Sequence, residues 1–232
     1  MPTTSSPTFA GFSPEGLRFL RDLAKRNERE WFTPRKHVYE TELLEPLRTL
    51  LADATAAMRK AKIPLGADPK RSTFRIHRDV RFSPDKRPYK TNLGAYFSRD
   101  GSRDAPGGLY LHIQPKESFI AIAFFQIDKP LLQRWRADMA TAPKHFEAVL
   151  RALERNGLRL SKPEDALKRM PRGFEGCADT AIAEYFRFPS FVVREALSDQ
   201  EIANPGLTDR MVSLAKRAKP LLEYGWSLVE TS

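Results

Sequence analysis

The segment Phe119-Ile120-Ala121-Ile122-Ala123-Phe124-Phe125-Gln126 is apolar on both of its alternating sets, Phe119, Ala121, Ala123 and Phe125 on one and Ile120, Ile122 and Phe124 on the other. A period of two sends these sets to opposite faces of a strand, so both faces are expected to be buried and the strand to be central in its sheet. Two companions precede it, Asn92 to Ser98 and Leu109 to Gln114, both rich in apolar and aromatic residues. Arg99-Asp100-Gly101 and Pro106-Gly107-Gly108 suit the first connection, and Pro115-Lys116-Glu117 suits the second. Connections this short cannot hold a parallel crossover, so the pairing is expected to be antiparallel. Phe191 to Val193 offers a further short strand.

Helical signals flank the strands. Ser13-Pro14 supplies an N-cap and a first-turn proline for a helix to about Asn27, with Leu17, Leu20 and Ala24 on its apolar face and Phe19 nearby. Thr33-Pro34 opens a second helical stretch to about Lys60, in which Pro46 predicts a kink or a split before Leu47, Leu50, Leu51, Ala54 and Met58. Asp128-Lys129-Pro130 starts another helix with Leu131, Leu132, Trp135 and Met139 on one face. Pro143 starts the next, with Phe146, Val149, Leu150 and Leu153, ended by Asn156-Gly157. Residues 171–176 read as loop. Asn204-Pro205 begins the last helix, carrying Met211, Leu214, Ala218 and Leu221 with a kink at Pro220. The order of elements predicts one α+β domain over residues 11–232, an antiparallel sheet packed against several helices, behind a Thr/Ser/Pro-rich disordered tail at residues 1–10.

Composition narrows the classes. The chain has 232 residues, 41% of them apolar, enough for a sizeable core. Its single cysteine, Cys177, forms no internal disulfide and reads as structural. No N-terminal leader pattern is present, and no segment approaches the ~18 uncharged apolar residues of a membrane span, so a cytoplasmic protein without a membrane partner is expected. His37, His77, His112 and His145 are scattered without ligand spacing, so no metal site is expected. Glycine-rich nucleotide loops and the Gly-x-Ser-x-Gly elbow are absent.

Charge concentrates in one place. Between Lys70 and Lys90 lie eight basic residues against Asp79 and Asp85, a net +6 of the chain's +10. Arginine forks bind carboxylate or phosphate in a bidentate way that lysine cannot reproduce. The segment is therefore read as an anion pocket in which Arg75, Arg78, Arg81, Lys86 and Lys90 hold the ligand and Tyr89 orients it. On a regular strand Arg75, His77, Asp79 and Arg81 share one face, which makes His77 and Asp79 a candidate general base and its orienter. Ser83-Pro84-Asp85-Lys86 forms the turn that returns Tyr89 and Lys90. In the competing structural reading the arginines pair with acids on neighbouring helices, such as Glu40, Glu42 or Glu45, and Asp79 and Asp85 act as salt-bridge partners or turn caps. Trp31-Phe32 is either a stacking platform or a core contact between two helices.

Several of these stretches resemble a family catalogued as domain of unknown function 2461. The resemblance rests on the run from Gly11 to Leu23, Glu30-Trp31-Phe32, the run from Arg75 to Lys86, Pro88-Tyr89-Lys90 and Pro171-Arg172-Gly173-Phe174. It spans most of the chain and implies a domain of about this size with no settled activity. Ala121 and Ala123 stand where that family looks glycine-rich. The functional expectation is an anionic small-molecule ligand with phosphate or carboxylate, and no cofactor is specified. A nucleic-acid-binding module using the same segment is the alternative, and a structural domain braced by the arginines is a third.

Overall fold

The computed structural model describes residues 8–81 and 84–230. Phe82 and Ser83, in the expected turn, and residues 1–7, in the expected tail, lie outside the described residues. By Phe9 the chain is already fastened: that ring is 3% exposed and its backbone N–H donates to Asp53 Oδ2 at 2.7 Å.

The elements are α1 (Pro14–Lys25), α2 (Arg29–Phe32), α3 (Lys36–Tyr39), α4 (Glu45–Lys60), β1 (Leu93–Phe97), β2 (Gly108–Ile113), β3 (Phe119–Phe124), α5 (Lys129–Thr141), α6 (Pro143–Arg155), β4 (Phe191–Ala196), α7 (Asp199–Ile202), α8 (Leu207–Arg217) and α9 (Lys219–Glu230). The fold is α+β, with one antiparallel sheet in the order β1-β2-β3-β4. The chain groups into two compact units. One comprises Met1–Arg103, Tyr110–Ile120 and Glu195–Ser213, the other Asp104–Leu109, Ala121–Arg194 and Leu214–Ser232.

In the first unit Ser13 caps α1, its Oγ accepting from Gly16 N at 3.0 Å and donating to Glu42 Oε2 at 2.6 Å. The expected helix to Lys60 is broken differently from its reading. Thr33–Arg35 is a 3₁₀ turn, and Glu40–Leu44 is a wide π turn directly before α4. Pro46 lacks an N–H and collides with the carbonyl four residues back, and the wide turn absorbs that collision. A Cβ on Gly16 would sit 2.7 Å from the Glu42 carbonyl oxygen, so glycine lets α1 lie against this turn. The short α7 was not anticipated, although Ser198 and Glu201 form a complete capping box.

In the second unit α5, α6 and α9 pack on one another around Trp135. The indole stacks on Phe191 with centroids 4.2 Å apart and meets Phe124 and Tyr224 edge-on. Asp128 caps α5 through Leu131 N at 2.8 Å. Ile120 through Phe124 are all buried, as expected for a central strand. The strand stops two residues earlier than its apolar pattern suggests. Gln126 has φ +46 with its N–H donating to Ser190 Oγ at 2.9 Å, and Phe125 stands 66% exposed.

Gly225 lies in α9 with its Cβ position 2.2 Å from the Phe124 ring. Helix propensity alone favours alanine there by about 1 kcal/mol. The collision is worse, because the ring is locked against Trp135. Gly225→Ala is expected to lower stability by about 1–3 kcal/mol in a denaturant titration.

Candidate functional site

The basic segment is not one regular strand. Phe74 N donates to Gly94 O at 2.9 Å and Tyr96 N to Ser72 O at 3.0 Å, so residues 72–74 run antiparallel to β1. Arg78 N then donates to Pro88 O at 2.9 Å and Lys90 N to Ile76 O at 2.7 Å, with a bridge between His77 and Tyr89. Residues 76–78 and 88–90 thus pair as the two arms of a hairpin. Asn27, just past α1 and buried, clamps it: Asn27 Nδ2 donates to Tyr89 O and Tyr89 N donates to Asn27 Oδ1, both at 2.9 Å. The Tyr89 ring, 4% exposed, stacks on Phe32 at 4.1 Å. Phe32 also contacts Phe19 and Tyr39, and Trp31 packs on Phe19. Phe32 is therefore a core contact with half-buried Trp31 beside it, and Tyr89, expected to orient a ligand, is instead the hairpin's anchor in that aromatic cluster.

Within the hairpin, arginines meet its own two acids. Asp79 accepts from Arg81 Nη2 at 2.7 Å, Nε at 3.0 Å and backbone N at 3.2 Å. These bonds, with Arg75 a smaller contributor, hold its carboxyl at about 2, below the ordinary 3.8. Asp85 accepts from Arg87 and Arg78, at 2.6 and 2.5 Å, and its pKa is also pushed down, by Arg87 first. Lys86 Nζ donates to Val80 O at 3.0 Å. The alternative partners read from sequence lie elsewhere: Glu40 pairs with Lys36, Glu42 with Ser13 and Glu45 with Arg48. The His77 ring is exposed and leans on Phe32 and Tyr89. No hydrogen bond among the described residues joins His77 to Asp79, because the expected shared strand face does not form and Arg81 occupies the carboxylate.

Three cations have a different environment. Lys90 Nζ lies 5.4 Å from the Phe74 ring centroid and Arg103 Cζ lies 5.5 Å from it. Burial, then Arg75 and Arg103, push the Lys90 pKa below its ordinary 10.5. Arg103 Nη1 donates to Thr73 O at 3.3 Å. Among the described residues, no carboxylate forms an ion pair with Arg75, Lys90 or Arg103. Phe74 meets Tyr110 edge-on at 5.8 Å, and Gly94 makes room, since a Cβ there would sit 2.9 Å from Tyr110 Oη and 3.2 Å from Phe74. Tyr110 Oη and Asn92 Nδ2 each lie 3.3 Å from His112 Nδ1, whose single lone pair in the Nε2-protonated tautomer the two donors share. His112 stacks on Phe119 at 4.7 Å.

Of the expected cations, Arg75 lies near enough to Lys90 for its charge to act there, while Arg78, Arg81 and Lys86 are committed to the hairpin's internal bonding. Phe74, Arg103, Tyr110 and His112 were not read as site residues. Tyr110 and His112 alternate with Leu109, Leu111 and Ile113, a period-two pattern that marks a sheet face carrying polar rings. Arg103 had no local signal, because it reaches Phe74 from a turn 29 positions on. Among the described residues no group of three or more His, Cys, Asp or Glu could hold a metal, and no helix is long and apolar enough to cross a membrane.

An α+β fold with a basic hairpin laid beside an aromatic sheet face is the class these observations define. A family model described as "Conserved hypothetical protein (DUF2461)" matches residues 15–224, and the chain belongs to that family. No curated protein and no solved structure matches it.

Two outcomes are expected here. Asn27→Ala leaves the Tyr89 backbone groups unsatisfied in a buried place, and a loss of about 2 kcal/mol is expected in denaturant unfolding, with faster hydrogen exchange at Tyr89 N–H. A carboxyl titration followed by NMR should place Asp79 at about 2, and Arg81→Gln should return it toward 3.8. The sign is that of a depressed acid: the Asp79–Arg81 pair is intact above the unfolded value of about 3.9 and is lost as pH falls through about 2.

Proposed function

We propose that the protein binds an anionic group, a phosphate or a carboxylate, at Arg75, Lys90 and Arg103 beside Phe74. The observation that carries this reading is Lys90, half-buried over the Phe74 ring that Arg103 also meets, under the added positive charge of Arg75 and with no carboxylate among the described residues in an ion pair with it. Crowding three cations disfavours the charged form of Lys90, and an arriving anion reverses that term. A ligand here thus gains from charge that the fold leaves uncompensated, whereas at Arg78, Arg81 and Arg87 it would compete with Asp79 and Asp85. A cytoplasmic setting, where phosphate-bearing metabolites are abundant, suits the same reading.

The test is titration of inorganic phosphate and of pyrophosphate, followed through the Lys90 side-chain NMR resonances. Saturable shifts are expected. Lys90→Gln should weaken binding at least about tenfold, because a charge-assisted contact is worth roughly 1.5–3 kcal/mol. Arg81→Gln should change it by less than about twofold while leaving the melting temperature near that of the parent. Affinity should fall as pH rises through the lowered Lys90 pKa, since the anion binds the protonated form. Equal loss in Lys90→Gln and Arg81→Gln, or no shift at Lys90, would sink the assignment.

A further inference from the structure

Beside the three cations lies a feature that an isolated phosphate does not use. Phe74, Tyr110, His112 and Phe119 form a continuous row of rings: Phe74 to Tyr110 is 5.8 Å, Tyr110 to His112 is 6.0 Å, Tyr110 to Phe119 is 5.8 Å, and His112 to Phe119 is 4.7 Å. The row crosses from the 72–74 segment over β2 to the start of β3. All four residues are half-buried. On β2 the neighbouring side chains Leu109, Leu111 and Ile113 are fully buried, so the chain has a separate apolar face for its core. The cations Lys90 and Arg103 cap the Phe74 end, and the exposed Lys70, Arg71, Arg75, Lys86 and Arg87 follow in the same basic stretch.

From this juxtaposition we infer that the aromatic sheet face is a binding platform for single-stranded nucleic acid, its phosphates held at Arg75, Lys90 and Arg103 and its bases stacked on Tyr110, His112 and Phe119. The inference rests on the anion site proposed above and names its ligand. A π-face is common to every base, so stacking on such a row is tolerant of sequence. Bases splayed from a single strand reach a sheet surface that a duplex, with its bases enclosed, cannot. The row extends over several rings, more than one base of a mononucleotide covers, while the charge at its end matches a phosphate backbone and not a neutral ring compound.

The experiment is fluorescence anisotropy with fluorescein-labelled 12-mers of oligouridylate and oligodeoxythymidylate, a duplex of equal length and uridine monophosphate as competitor, alongside the phosphate titration of Lys90. Saturable single-strand binding, tighter than duplex binding, is expected. Tyr110→Leu and Phe119→Leu, which keep apolar bulk, and His112→Ala should each weaken it about 5- to 20-fold while phosphate still shifts Lys90. Lys90→Gln and Arg103→Gln should each reduce the slope of log K against log salt by about 0.7. A 12-mer containing 4-thiouridine should cross-link to Tyr110, His112 or Phe119, a readout that needs no variant to fold. Ring variants that bind as the parent does, duplex binding as tight as single-strand binding, full competition by the mononucleotide, or cross-links confined to residues 78–87 would each overturn the inference. If phosphate nevertheless shifts Lys90, the anion site stands without it; if phosphate shifts nothing, both fall.

Discussion

The paired hydrogen bonds between Asn27 and the Tyr89 backbone are the constraint on which the site depends. A carboxamide that both donates to the Tyr89 carbonyl and accepts from the Tyr89 N–H mimics a neighbouring strand, and it does so from just past the end of α1. The Phe32–Tyr89 stack adds apolar burial at the same point, so the hairpin is fixed where its main chain would otherwise lack partners. With Tyr89 held, Lys90 is carried next to Phe74 and the cations at residues 75 and 90 become neighbours. Without the clamp the basic segment is a charged loop of high self-repulsion.

The charge of that segment divides into two populations with different physics. Arg81 meets Asp79 in an exposed contact and Arg78 and Arg87 meet the half-buried Asp85, pairs that contribute little to stability singly but order a loop that has no regular ladder. Arg75, Lys90 and Arg103 lack such ion-pair partners among the described residues, and Lys90 and Arg103 share the Phe74 ring. Like charges held near one another raise the energy of the protein, and an anion at the site proposed above would lower it. One stretch of chain thus carries both a set of internally paired arginines and the cations of that proposal.

Much of the fold was legible from local pattern. The strands at 93–97, 108–113 and 119–124, the caps at Ser13 and Asp128, the proline-started helices and the buried character of β3 all follow from periodicity and side-chain chemistry within a few residues. The site was legible only in outline. Its location in the basic stretch was readable, yet His77 and Asp79 were placed together on the assumption of a regular strand, and the chain instead switches partners between residues 74 and 76. Arg103 and Phe74 are neighbours across 29 positions, and no period connects them.

By itself the sequence determined the α+β composition, the alternation that gives β2 one apolar face and one face of Tyr110 and His112, and the surplus of positive charge between Lys70 and Lys90. These depend on side-chain size, backbone preference and formal charge, which act locally. Only the tertiary structure decided which cations are neutralised, because pairing depends on distances set by the Asn27 clamp and by Gly94, whose missing side chain lets Phe74 and Tyr110 close over β1. Charge is a property of residues, whereas its compensation is a property of their arrangement in space.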